Sequence, residues 1–154
     1  PFLDRIDIGV EVPRQDLGMM AAEKSIDEGS FPQTEQRDSS AVMRARVMEA
    51  RARQEKRFAD ESISYNSQMT RRQIEEYCRL SGEDAVFLEK VERQQGISAR
   101  GHGKILKVAR TLADLDGQAE IGRAQLAEAI GFRSFEKKIL GEPLKRSMSK
   151  RLKE

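Results

Sequence analysis

The chain opens on alternation. Ile6, Ile8, Val10 and Val12 alternate with Arg5, Asp7, Gly9 and Glu11, the period of a half-buried strand. Pro13 then removes a donor and ends it. A lone strand is not stable in water, so its sheet partners are expected upstream of Pro1, and the chain reads as a piece of something larger. Residues 14–37 hold Gly18, Gly29, Pro32 and many acidic side chains without a sustained period, the pattern of a linker, with Leu17, Met19 and Met20 able to dock locally. From Asp38 onward the period is helical. Ala41, Ala45, Met48 and Ala52 form the expected inner face of a first helix, capped by Asp38 or Ser39. Thr70 and Gln73 form a capping box for a short second helix with Ile74, Tyr77 and Cys78 inward. Ser81 starts a third, whose face is Val86 or Phe87, Leu88 and Val91, ending at Gly96. Ser98 starts the most periodic segment, with Ile105, Val108, Ala109, Leu112 and Leu115 on one side and Gly117 past its end. A fifth helix is expected from Gly122 to Ile130, facing inward with Leu126, Ala127 and Ile130. The fold class is all-α: a small helical bundle preceded by one orphan strand.

Composition narrows the class. At 154 residues, 38% hydrophobic and 35% charged, the chain supports one domain with a modest core of Leu, Ile, Val, Met and Ala. No apolar run approaches the roughly 20 residues of a membrane span, and a single cysteine, Cys78, fits a reducing cytosol, so a cytoplasmic protein is expected. One His and one Cys give no basis for a zinc site. The net charge of +2 hides a gradient: residues 1–40 carry 4 basic and 9 acidic side chains, and residues 133–154 carry 8 and 3. The basic stretch 134–154 reads as a solvated tail.

Candidate chemistry is sparse. The chain contains no G-x-x-x-x-G-K-[ST] phosphate loop. Gly101-His102-Gly103-Lys104 lies near a helix N-terminus, where free N–H groups favour anions, but its spacing matches no phosphate fingerprint. His102 has no nucleophile nearby in sequence and reads as a surface histidine, and Cys78 as a small buried hydrophobe. The first helix carries Arg44, Arg46, Arg51, Arg53, Lys56 and Arg57 against Glu49 and Glu55. Such a face could track a nucleic-acid backbone, although plain solvation is the commoner use of charge there. Arg5 and Arg100 carry no signature by themselves.

Two blocks are recognisable. Pro1-Phe2-Leu3-Asp4-Arg5-Ile6-Asp7-Ile8 with Val10-Glu11-Val12-Pro13, and Ile97-Ser98-Ala99-Arg100 continuing through Arg110-Thr111-Leu112-Ala113-Asp114-Leu115, resemble segments of magnesium-chelatase-like AAA+ ATPases of the ComM type. Gln54 to Phe58, Tyr65 to Met69, and Ala127 to Ile130 with Phe132-Arg133 are similar to further stretches of that family, in the same order. The chain departs from it at Gly101-His102-Gly103-Lys104, at Gln125 and Gly131, and after Phe135.

The resemblance implies the C-terminal part of a hexameric ATPase of identical subunits, inactive alone. It divides the chain into the last strand of the AAA+ core (1–13), a linker (14–37), a helical lid (38–133) and the basic tail (134–154). It makes Arg5 an arginine finger reaching the γ-phosphate held by the neighbouring subunit, and Arg100 a sensor-2 residue touching the ATP phosphates of its own. A fork of donors that is always charged suits both tasks. ATP and Mg2+ would be cofactors of the whole motor, with none held tightly by this region, and no membrane partner is implied. ComM-type proteins are linked to DNA branch migration in competence, which makes DNA a candidate partner. The alternatives are a nucleic-acid-binding or protein-docking helical module without an ATPase role.

Overall fold

The computed structural model describes residues 5–12 and 39–133. The expected linker, the basic tail and the outermost residues of the expected strand lie outside the described residues. Among the described residues five helices follow one another: α1 (Ser40–Arg57), α2 (Arg71–Tyr77), α3 (Gly82–Gln95), α4 (Ala99–Leu115) and α5 (Arg123–Gly131), with a 3₁₀ turn at Asn66–Gln68 between the first two. Helix α4 is the central element, packed most extensively on α5 and α1.

Local chemistry sets the boundaries. Ser39, Thr70, Ser81 and Ser98 each accept a hydrogen bond from an N–H in the first turn of the helix they precede. Gly96 ends α3 at φ 65°, and Gly117 turns the chain after α4 at φ 71°, left-handed positions that glycine takes without strain. Gly122 has no side chain to cap α5, and Gln125 Oε1 instead accepts from its N–H at 3.1 Å.

The core runs through Phe58, Met69, Cys78, Leu88, Ile105, Leu106, Ala109, Ala113, Ile121, Leu126, Ala129 and Ile130. Leu88, Ile105 and Leu126 are fully buried, each contributing about 1.5–3 kcal/mol by removal from water. Phe58 meets Tyr77 edge-on with ring centroids 5.3 Å apart.

Two inner faces differ from the periodicity, and a third settles between its two expected residues. In α1 the buried residues are Ala50 and Gln54, while Ala41, Ala45, Met48 and Ala52 are exposed. Val42, Met43 and Val47 are also exposed, so the first half of this helix stands clear of the bundle. Its Ala, Arg, Met and Glu content sustains a helix by propensity there. In α3, Phe87 packs inward and Val86 points outward, and in α5 Ala129 is buried where Ala127 is exposed. Each inner face is turned by the neighbour it meets, which periodicity within one segment does not specify.

Residues 6–12 carry neither helix nor ladder, and the expected strand has no pairing partner among the described residues. One backbone bond ties it to the bundle, Gly9 N–H to the Phe132 carbonyl at 2.9 Å. Ile8, Val10 and Val12 are 50, 68 and 81% exposed, so the bundle leaves this apolar side uncovered.

Candidate functional site

The N-terminal end of α4 gathers most of the candidate residues. Ser98 Oγ accepts from Gly101 N–H at 3.1 Å and sets the first turn. Arg100, the second residue of that turn, is exposed and lines a groove of about 1230 Å³ between α2, α3 and α4, whose apolar wall includes Ile74, Leu88 and Ile97. Gly101 is buried, and a Cβ there would lie 2.7 Å from Ile97 Cγ2. His102, half-buried, sits on the same groove with Nδ1 2.6 Å from Glu92 Oε1 of α3. Lys104 reaches the segment that carries Arg5, with Nζ 2.7 Å from Asp7 Oδ1. Arg5 itself is exposed. Both candidate arginines are therefore exposed residues.

A second cluster lies at the other end of α4. The Asp114 carboxylate is wholly buried and accepts from both Nη atoms of Arg57, at 2.9 Å to Oδ2 and 2.5 Å to Oδ1, and from Asn66 Nδ2 at 2.8 Å. Arg110 Nη2 lies 3.1 Å from Asp114 Oδ1 and also donates to the Gln118 carbonyl, while Nη1 donates to that of Ala119, both at 2.7 Å. Asn66 closes the circuit, accepting from Arg57, donating to Thr111 Oγ1 and giving its N–H to Gln54 Oε1. Burial pushes the Asp114 carboxyl up, but the Arg57 and Asn66 hydrogen bonds and the Arg110 and Arg57 charges outweigh it and hold it below the usual carboxylate range. Burial lowers Arg110 despite the nearby Asp114 charge.

Residues 37–133 match the family described as magnesium chelatase, subunit ChlI C-terminal. The chain belongs to that family. It is 38% identical over 136 residues to the competence protein ComM of Haemophilus influenzae, a match covering 88% of this chain and 24% of that protein. It is also 36% identical over 140 residues to the uncharacterized protein YifB of Escherichia coli, covering 91% of this chain and 25% of that one. The chain thus spans about a quarter of the length of the curated relatives it matches.

Within this magnesium-chelatase-type C-terminal domain, three of the stretches that carry the resemblance converge in space. Gln54 and Arg57, Asn66, and Arg110 to Asp114 come from three separated segments and meet in the buried Asp114 cluster. The sequence reading missed it. The signal available was a pair of opposite charges four apart, Arg110 and Asp114, on the otherwise apolar inner side of α4. The same cluster changes the arginine face of α1: Arg57 is drawn inward and Arg53 donates to the Asp114 carbonyl at 3.1 Å, leaving Arg44, Arg46 and Arg51 exposed. Arg51 lies over the Tyr65 ring at 3.9 Å.

Cys78 is inert as a nucleophile, since burial pushes its thiol up to about 11. No group of three His, Cys, Asp or Glu side chains is placed to hold a metal ion among the described residues. No helix of the described residues is long and apolar enough to cross a membrane.

Proposed function

We propose that this chain is the helical lid, with an adjoining core segment, of an ATP-hydrolysing AAA+ ring of identical subunits that remodels DNA. Arg100 is the sensor-2 residue of its own subunit, and Arg5 the finger supplied to the next. The observation that carries this reading is the contrast along α4: its far end is locked by the Asp114 cluster, while Arg100 stands exposed on its first turn above an open groove. A cation at the tip of a rigid helix, beside N–H groups of the first turn, is suited to a phosphate. The uncovered apolar side of Ile8, Val10 and Val12 fits a segment completed by a larger sheet.

ATP would supply the transferred phosphoryl group, with Mg2+ accompanying it in the whole motor. Arg100 would orient the phosphates in cis, and Arg5 would meet charge developing on the γ-phosphate in trans. DNA as the substrate draws on the name of the ComM relative, a competence protein, and on the exposed arginines of α1.

The test is ATPase turnover in the full-length ring. Arg5→Ala is expected to lower kcat by about 10³-fold, the scale at which trans-acting arginines operate. Arg100→Ala should weaken ATP binding as well as turnover. Wild-type turnover in Arg5→Ala would sink the finger assignment. Doping Arg5→Ala subunits into wild-type rings should depress turnover only if the finger acts across the interface.

A further inference from the structure

Lys104 sits one helical turn beyond Arg100, and its side chain is only 14% exposed. An ammonium held so far from water requires a counter-charge and acceptors. Both come from the segment that carries Arg5. Its Nζ is 2.7 Å from Asp7 Oδ1 and 3.5 Å from the Ile6 carbonyl, to which it donates. Arg133 Nη1, at the other side, donates to the same Ile6 carbonyl at 3.3 Å. Gly9 N–H closes the tie on the Phe132 carbonyl at 2.9 Å. Apolar contact adds little here, because Ile8, Val10 and Val12 are half or more exposed. Polar contacts from Lys104, Arg133 and Phe132 therefore hold this segment against the first turns of α4.

We infer that Lys104 is a positioning residue: it fixes the Arg5 segment to the Arg100 helix, so that a lid displaced by nucleotide moves the finger offered to the next subunit. The inference rests on the roles proposed above for Arg5 and Arg100. The two arginines serve different nucleotides, one in the subunit's own site and one across the interface. Between them on this chain stands a partly buried ion pair that also reaches a backbone carbonyl, with Asp7 two residues from Arg5 and Lys104 one turn from Arg100. Lysine suits the position because one compact charge satisfies a carboxylate and a carbonyl at once. Transmission through such a tie depends on the ion pair and not on the identity of the cation, so arginine should replace lysine in part.

Two measurements decide it. In this chain, Lys104→Ala and Asp7→Asn are each expected to speed hydrogen exchange at the Gly9 amide about tenfold, with Leu106–Leu115 of α4 unchanged. Asp7→Asn lies outside the helical bundle and does not threaten its core. Unchanged exchange at Gly9 in both variants overturns the tie, whatever the ATPase results. In the full-length ring, both variants should lower kcat about tenfold with KM for ATP within about twofold, and Lys104→Arg should recover most of the loss. A loss confined to KM, or kcat within about twofold of wild type, overturns the coupling role. Should Arg5→Ala retain wild-type turnover, the finger reading fails and the coupling fails with it, while the exchange measurement still reports on the tie itself.

Discussion

Asp114 shows how much one residue can be asked to hold. Its carboxylate is fully buried between Arg57 and Arg110, whose side chains are 16 and 2% exposed. Removing it would leave two guanidinium groups without their counter-charge, and such truncations cost about 3–5 kcal/mol. Asp114→Asn should therefore unfold at markedly lower urea concentration at pH 7, and an unchanged midpoint would show that the cluster contributes nothing. The pH dependence has a definite sign. The folded carboxyl titrates below its unfolded value, so its contribution is complete above the unfolded pKa of about 3.9 and is lost as pH falls through the lower, folded one. Stability of the wild type should decline below about pH 4 with a component that Asp114→Asn lacks.

At the scale of elements, the first turns of α4 contain two glycines with opposite meanings. Glycine costs a helix about 1 kcal/mol relative to alanine, so on propensity alone both positions should gain from substitution. Gly103 follows that rule, because a Cβ would meet only Ile74 Cδ1 at an ordinary 3.4 Å. Gly101 does not, because its Cβ would stand 2.7 Å from Ile97 Cγ2, and overpacking costs about 1–3 kcal/mol. Thermal unfolding should show Gly103→Ala stabilised by up to about 1 kcal/mol and Gly101→Ala destabilised. Combining Gly101→Ala with Ile97→Ala should reverse the sign of the Gly101 effect; additive effects would mean the two sites do not touch. Helix α1 makes the complementary point. Strong helix formers carry its first half without burial, and its tertiary hold begins only at Ala50, Arg53, Gln54 and Arg57.

For the whole molecule, charge distribution matters more than net charge. With Arg53 and Arg57 bonded to Asp114, the exposed arginines of α1 are Arg44, Arg46 and Arg51. If they contact phosphates, affinity for DNA should fall steeply with salt, and replacing all three by alanine should reduce the logarithmic slope by about 2–3. Binding that is independent of salt, or a slope unmoved in the triple variant, would reject this face as a DNA contact.

The sequence by itself determined the helices and their ends, because caps, capping boxes and left-handed glycines act over three or four residues and are written locally. Ser39, Thr70, Ser81, Ser98 and Gly96 all stand where local chemistry requires them. It also determined the family, since the residues that carry the resemblance are consecutive along the chain. Only the tertiary structure decided which side of α1 faces inward, why Gly101 is tight and Gly103 is not, and that Arg57, Asn66, Arg110 and Asp114 form one buried cluster. Those features depend on contacts between residues up to 61 positions apart, and desolvation makes each charge costly unless its distant partner arrives.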